Sequence, residues 1–247
     1  MPRDTQLETP VADRVAALNL KAKEETALQR LDEVLNGNAV GRVALVSSFG
    51  AESAVLLHLA SRLRKDVPVI FVDTRMLFQE TLDYQLELAE AFGLTDIRRI
   101  TPDSEAVRRD DVFGRLHLKD TDACCALRKV APLDAALDGF DAWITGRKRH
   151  QTDARRNMDL FEDENGRRIK VNPLAFWQPE DLRAYMDAHD LPRHPLTRRG
   201  FASIGCAPCT RPVAEGEDPR AGRWAGSDKT ECGIHFDENG KVVRPAA

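Results

Sequence analysis

The feature that most constrains this chain is an apolar run that stops at a small-residue turn and passes directly into a helical pattern. Residues 42–50 read Arg42-Val-Ala-Leu-Val-Ser-Ser-Phe-Gly50, and residues 52–63 then repeat apolar side chains at helical period. Such a unit is a strand, a turn and a helix. It recurs: residues 67–72 (Val-Pro-Val-Ile-Phe-Val) end in Asp73-Thr74, and residues 78–92 follow as a helix with Leu82, Leu86, Leu88, Ala89 and Phe92 on its apolar positions. Residues 97–100 form a third strand and residues 141–146 a fourth that opens into a polar loop. Strands alternating with helices predict an α/β fold, a mostly parallel twisted sheet with helices on both faces and chemistry at the carboxyl ends of the strands. Two further helical stretches precede it, carrying Val11, Val15 and Leu18, then Leu28, Leu31, Val34 and Leu35, with a stop at Gly37. Gln178-Pro-Glu-Asp181 opens a late helix with proline and acids in its first turn. Beyond Leu191 the chain is rich in Pro, Gly and Arg, so its order is expected to depend on docking or on a metal.

Composition narrows the function. With 42% hydrophobic and 31% charged residues the chain is an ordinary folded one. Its 36 basic and 40 acidic side chains leave a net charge of -4, which provides no global field for a polyanion and argues against a nucleic-acid partner. No stretch approaches the roughly 18 apolar residues of a membrane span, and the first thirty residues lack a secretory pattern. The expectation is a cytoplasmic protein with reduced thiols, whose five cysteines are free, metal-bound or catalytic and not cystines.

Two segments at strand ends suit an anion. Residues 47–53 place Ser47, Ser48 and Gly50 at a helix N-terminus, where hydroxyls and backbone N–H groups favour phosphate or sulfate oxygens, although any N-cap cluster has the same residues. The Gly-Lys-Ser/Thr ending of a nucleoside-triphosphatase loop is absent. Residues 145–156 follow the fourth strand at Gly146 and concentrate cations, Arg155 among them, which reads as a solvated loop unless it borders the first segment. If it does, hydroxyl donors and guanidinium groups form one anion pocket.

The cysteines carry the strongest signal. Cys124 and Cys125 are adjacent, Cys206 and Cys209 form a Cys-x-x-Cys pair, and Cys232 stands alone in Glu231-Cys-Gly-Ile-His235. Four make a soft donor set for zinc or iron–sulfur, and adjacent cysteines fit separate irons of a cluster more comfortably than one zinc ion. Cys232 has Arg220, Arg223, Lys229 and His235 nearby in sequence, cations that favour the attacking thiolate over an incidental surface thiol.

Taken in order, residues 47–53, Val72-Asp-Thr74, Cys124-Cys125 with Arg128-Lys129, Trp143-Ile-Thr-Gly146, residues 203–211, residues 216–224 and Glu231-Cys-Gly-Ile-His235 resemble the assimilatory adenylyl-sulfate reductases of the iron–sulfur type. These belong to the wider family of adenylyl-sulfate and 3′-phosphoadenylyl-sulfate reductases. The resemblance implies an adenine nucleotide α-hydrolase-like fold plus a C-terminal tail carrying the nucleophilic cysteine. The implied organisation is an N-terminal helical segment (residues 1–40), an α/β nucleotide- and cluster-binding domain (41–215) and a C-terminal segment with the catalytic cysteine (216–247). It further implies reduction of adenylyl sulfate to sulfite and AMP, with thioredoxin or a glutaredoxin-like donor as partner. Cys124, Cys125, Cys206 and Cys209 would hold a 4Fe-4S cluster, and Cys232 would form an S-sulfocysteine. Lys129, Arg220 and Arg223 match the family's sulfate and phosphate contacts, His235 follows the nucleophile closely enough to belong to the same substrate-binding cap, and Ser47, Ser48, Gly50, Gly146 and Arg155 match its nucleotide-binding segments. Three positions depart from the family pattern: Arg75 stands where glycine is common, Thr152 replaces a serine, and Trp224 is followed by Ala225-Gly226. Family members committed to 3′-phosphoadenylyl sulfate typically lack the two cysteine pairs, which favours adenylyl sulfate without excluding dual use. A structural zinc site in a nucleotide-binding or tRNA-modifying protein is the reading from another class, and a plain interaction module a third. The oligomeric state, a homo-oligomer included, is open.

Overall fold

Six strands form one sheet in the order β3-β2-β1-β4-β6-β5, where β1 is Val43–Ser47, β2 Val69–Val72, β3 Ile97–Ile100, β4 Ala142–Ile144, β5 Phe161–Glu164 and β6 Arg168–Val171. The computed structural model describes residues 9–22, 25–225, 229 and 231. All pairings are parallel except β5 with β6, an edge hairpin. Leu45 is the hub of the register, opposite Val69 on one side and Ile144 on the other. The first three strands run outward from β1 in one direction and β4 lies on its other flank, so the order reverses between β1 and β4. At such a reversal the two crossover connections leave on opposite faces and open a crevice beyond the strand ends.

The period-two alternation of the strands sorts the core into two layers. Val43, Leu45 and Phe71 join the larger core with α2 (Ala27–Asn36) and α3 (Ser53–Leu63), together with Leu88 of α4 (Gln79–Phe92). The intervening residues Ala44, Ile70 and Trp143 point the other way, onto Leu133 and Leu137. Leu31, Leu45, Leu57 and Leu88 are fully buried, each worth about 1.5–3 kcal/mol relative to an exposed side chain. Leu18 of α1 (Val11–Lys21) reaches the same core. A reciprocal capping box between Thr26 and Gln29 starts α2, and Gly93, at φ 64°, closes α4 in the left-handed region.

Four strands and five helices lie where the hydrophobic pattern puts them, with boundaries shifted by up to two residues. The β5–β6 hairpin is additional. Between β3 and β4 run α5 (Ser104–Asp110), α6 (Leu116–Lys119), α7 (Thr121–Cys125), a π-helical turn at Ala126–Val130 and α8 (Ala131–Ala136). After α9 (Pro179–Ala188) the Pro- and Gly-rich stretch folds back over the strand ends: Leu196, Phe201 and Ile204 pack with Ala51 and Phe78, and Cys206 bridges to Leu77. Among the described residues no helix is long and apolar enough to cross a membrane.

Candidate active site

A cavity of about 490 Å³ occupies the crevice beyond β1 and β4. The turn after β1 contributes Ser47, Ser48 and Gly50, and the end of β4 contributes Gly146 and Arg155. Lys129, Arg220 and Arg223 enter from the π-helical turn and from the segment after α9. The two anion-suited segments thus border one space, as their placement at strand ends requires.

The turn after β1 is tightly built. Phe49 takes a left-handed backbone (φ 48°), which costs a β-carbon-bearing residue energy, and is held there by complete burial and an edge-on contact with Phe71 at 4.9 Å. The Phe49 N–H donates to Ser47 Oγ at 3.1 Å and the Gly50 N–H to Ser53 Oγ at 2.9 Å. Ser48 is left exposed to the cavity. On the neighbouring strand Arg75 also adopts a left-handed backbone (φ 61°), the conformation for which glycine is the usual residue. The turn keeps the glycine-type shape despite the substitution, with the Arg75 N–H donating to Asp73 Oδ1 at 2.9 Å.

The basic loop is not a free cation strip. Arg147 pairs with Glu162 and donates to Asn172 at 3.0 Å, while Lys148 is buried against Glu52. Arg149 donates to the Met158 carbonyl at 2.7 Å. Arg155 forms a two-pronged contact with Glu231, at 2.6 and 2.5 Å, and Thr152 donates to the same carboxylate at 2.6 Å. Burial opposes ionisation of Glu231, but Arg155 first, with Thr152 and Arg220, outweighs it and holds the carboxyl below its ordinary range. Burial pushes the Lys148 ammonium below its ordinary value against the pull of Glu52. Loop patterning shows these cations but not their partners, which lie up to 96 residues away.

Arg223 stacks over the Trp224 ring at 4.4 Å and donates to the Ile204 carbonyl at 3.3 Å. Trp224 is buried, and its N–H donates to the Cys209 carbonyl at 3.0 Å. The small residues after it therefore leave this anchor intact. Cys232 and His235 lie outside the described residues.

Cys124, Cys125 and Cys206 are buried, Cys209 is half-buried, and all four are free of disulfides. The two pairs face one another. Burial pushes the Cys124 thiol up to about 11, and the charges that Cys206 and Cys209 would carry raise it further. Cys209 is raised too, by burial and Cys206, against the opposing pull of Lys129 and Arg223. The Thr74 hydroxyl lies 3.2 Å from Cys206 Sγ, and Thr74's carbonyl accepts from Arg128 at 3.1 Å. Arg128 is itself buried on Asp111, at 2.7 Å. Among the described residues no three metal-binding side chains are gathered around one ion-sized point. The donor chemistry nevertheless fits a thiolate-bound group: four sulfurs, with Cys124 within electrostatic reach of Cys206 and Cys209, and the cations Arg128 and Lys129 beside them to offset thiolate charge. The sequence pattern marks Arg128 beside the cysteine pair but gives no sign of its partner Asp111, and the π-helical turn that carries Arg128 is a common mark of a functional site.

Comparison with known proteins adds to this geometry. The family model described as the phosphoadenosine phosphosulfate reductase domain matches residues 42–212. A relative named adenosine 5'-phosphosulfate reductase from Chelativorans sp. (strain BNC1) is 46% identical, covering 95% of this chain and 94% of its own. The protein of that name from Mesorhizobium japonicum is 53% identical over 78% of this chain and 76% of its own, and that from Streptomyces coelicolor is 41% identical over 92% and 99%. Among solved structures, a phosphoadenylyl-sulfate reductase from Candida auris in complex with phosphate superposes with a TM-score of 0.66 at 27% identity, over 80% of this chain and 96% of that one. An FMN adenylyltransferase from Candida glabrata shares the fold, with a TM-score of 0.57 at 14% identity over 83% and 73%.

Proposed function

Because the chain belongs to the phosphoadenosine phosphosulfate reductase family, we propose that its cavity takes adenylyl sulfate and that the protein reduces it to sulfite and AMP in sulfate assimilation. The observation that carries this reading is the convergence on one crevice of the β1 turn, the end of β4 and the cations Lys129, Arg220 and Arg223, directly beside two facing cysteine pairs. A mononucleotide carrying a sulfate has the size and charge for such a space. Ser48 and the backbone of the β1 turn suit the nucleotide end, and the three cations suit the sulfate and its bridging phosphate.

The chemistry assigned to this chain is a thiolate displacement. The Cys232 thiolate attacks the sulfate sulfur, the bond from sulfur to the bridging phosphate oxygen breaks, and AMP leaves with the electron pair. The enzyme then carries an S-sulfocysteine. A thiolate of reduced thioredoxin attacks the Cys232 sulfur and expels sulfite. The second thioredoxin thiol resolves the mixed disulfide, so the two electrons come from the dithiol. An anion approaching an anion needs fixed positive charge, which Lys129, Arg220 and Arg223 provide, and that charge also steadies the leaving phosphate. His235, three residues after Cys232 in sequence, is assigned to substrate binding with it.

Cys124, Cys125, Cys206 and Cys209 are assigned as ligands of a 4Fe-4S cluster. When bound, the cluster supplies a covalent tie between the two cysteine segments and an electrostatic neighbour for Lys129, with no net electron transfer required of it. A cluster held by four thiolates and a thiol nucleophile suit a reducing compartment, so the cytoplasm is the assigned location.

Anaerobically purified protein tests the assignment. It is expected to be brown, with broad absorption near about 400 nm, whereas a zinc protein is colourless. Comparing kcat/KM for adenylyl sulfate and its 3′-phosphorylated form is expected to favour the former, and equal values establish a dual-substrate enzyme.

A further inference from the structure

Glu231 has surroundings that its place in a polar stretch does not foretell. It is 3% exposed, and both of its oxygens are engaged. Arg155 donates from Nε at 2.6 Å to one oxygen and from Nη2 at 2.5 Å to the other, while Thr152 adds its hydroxyl at 2.6 Å. A planar fork on a carboxylate combines charge with fixed geometry. Burying such a pair is costly unless its lone pairs find donors, so the contact is specific to one arrangement.

The pair is also tied to the nucleotide wall. Arg155 donates to Gln151 as well, Gln151 donates to Glu52 at 3.2 Å, and Glu52 pairs with Lys148. Glu52 is the N-cap of α3, immediately after the β1 turn. One chain of polar contacts therefore runs from Glu231 to the residues that border the nucleotide end of the cavity.

We propose that Glu231 is a positioning residue whose carboxylate, held by Arg155 and Thr152, anchors the segment bearing the nucleophile to the cavity wall. The inference rests on the reading of Cys232 as that nucleophile. Cys232 is the next residue in the chain after Glu231. Arg155 then acts on the reaction through Glu231 and not as a ligand of the nucleotide. A nucleophile held close to its target gains rate through effective concentration. Loosening the anchor slows sulfur transfer and leaves nucleotide affinity alone.

The experiment uses the full chain with its cluster. Two quantities are measured for Glu231→Gln, Glu231→Asp, Thr152→Val and Arg155→Lys: the single-turnover rate of S-sulfocysteine formation, followed by mass, and the Kd for AMP. Glu231→Gln is expected to slow transfer by about ten- to a hundredfold, with the Kd for AMP within about twofold of the original. Glu231→Asp, which keeps the charge, is expected to retain more rate, and Thr152→Val to lose less. Combining Glu231→Gln with Arg155→Lys is expected to cost little beyond the first change, because the two act as a unit. Arg155→Lys weakening AMP binding while transfer stays fast makes Arg155 a nucleotide ligand and overturns the proposal. Glu231→Gln at the original rate overturns it as well. If Glu231→Gln does not fold, Thr152→Val decides, since it deletes one hydrogen bond at constant charge: an unchanged transfer rate there refutes the anchor. Cys232→Ser separates the two readings. Sulfite production surviving that change removes the nucleophile itself, whereas its loss alongside a full-rate Glu231→Gln removes only the anchor.

Discussion

Replacing Asp111 by Asn removes one charge from a buried pair and leaves its partner stranded. Arg128 and Asp111 have side chains 6% and 2% exposed. Arg128 donates to Asp111 Oδ2 from Nε at 3.1 Å and from Nη2 at 2.7 Å, and to the Thr74 carbonyl at 3.1 Å. The other carboxylate oxygen accepts from the Leu116 N–H at 2.8 Å. Asparagine preserves that last bond but leaves a buried guanidinium without a counter-charge, which costs about 3–5 kcal/mol. At roughly 2–4 °C per kcal/mol for a chain of this size, Tm falls by about 6–20 °C. The matched control is Asp96→Asn, because Asp96 meets Arg98 at the same 2.7 Å with both side chains a third or more exposed. Its expected cost is below about 1 kcal/mol. Burial raises the Asp111 pKa and Arg128, with backbone donors, lowers it further than burial raises it, so the net shift is downward. A depressed carboxyl contributes stability above its unfolded pKa, near about 3.9, and that contribution is lost as pH falls through the lower folded value. Urea titrations at neutral pH and below pH 4 measure both effects. Equal costs for Asp111→Asn and Asp96→Asn, or a difference between Asp111→Asn and the original protein that persists undiminished at the acid end, would refute a stabilising charge on buried Asp111.

Arg75→Gly is expected to raise stability by up to about 1 kcal/mol, measured by urea unfolding, because glycine relieves the left-handed strain at φ 61°, the lost contact from the exposed Arg75 is long at 3.9 Å, and the buried Asp73 keeps Arg99 at 2.7 Å. Gly205→Ala is expected to raise KM for adenylyl sulfate with little change in Tm. Its methyl group would lie 2.4 Å from the Arg223 guanidinium, the movable end of a cation assigned to the sulfate. Cys206→Ser is expected to abolish the brown colour, read by absorption of the anaerobic protein, while Cys232→Ser leaves it intact.

The strands β1, β2 and β4 are legible because each is an apolar run that stops at small or polar residues, and the short β3, Ile97-Arg-Arg-Ile100, because its isoleucines follow the helix stop at Gly93. The β5–β6 hairpin hides behind its own charges. Phe161-Glu-Asp-Glu does not look like a strand, and Arg168 and Lys170 look like surface residues yet are buried, Arg168 on Asp134 and Glu164 and Lys170 near Glu164 and over the Trp143 ring. The local signal is Asn165-Gly166, both left-handed at φ 54° and 68°, in the three-residue turn between the paired Glu164 and Arg168. At the site, the serines, glycines and cations named from sequence do line one cavity, since strand-end placement follows from topology. Which of those cations are already matched does not follow. Arg155 reads as a nucleotide contact until Glu231, 76 residues on, is seen closing over its guanidinium. The glycine-type turn at Arg75 is likewise visible only in the backbone.

The account's central claim is that sulfur passes through Cys232 while the cysteine pairs stay out of the covalent chemistry. Incubating the protein with adenylyl sulfate in the absence of thioredoxin, digesting it and weighing the peptides tests this directly. The expected result is an addition of about 80 Da, the mass of SO₃, on the Cys232 peptide alone, lost again when reduced thioredoxin is added. Sulfite formation in a full cycle without that adduct, or the same mass on a peptide carrying Cys124, Cys125, Cys206 or Cys209, contradicts it.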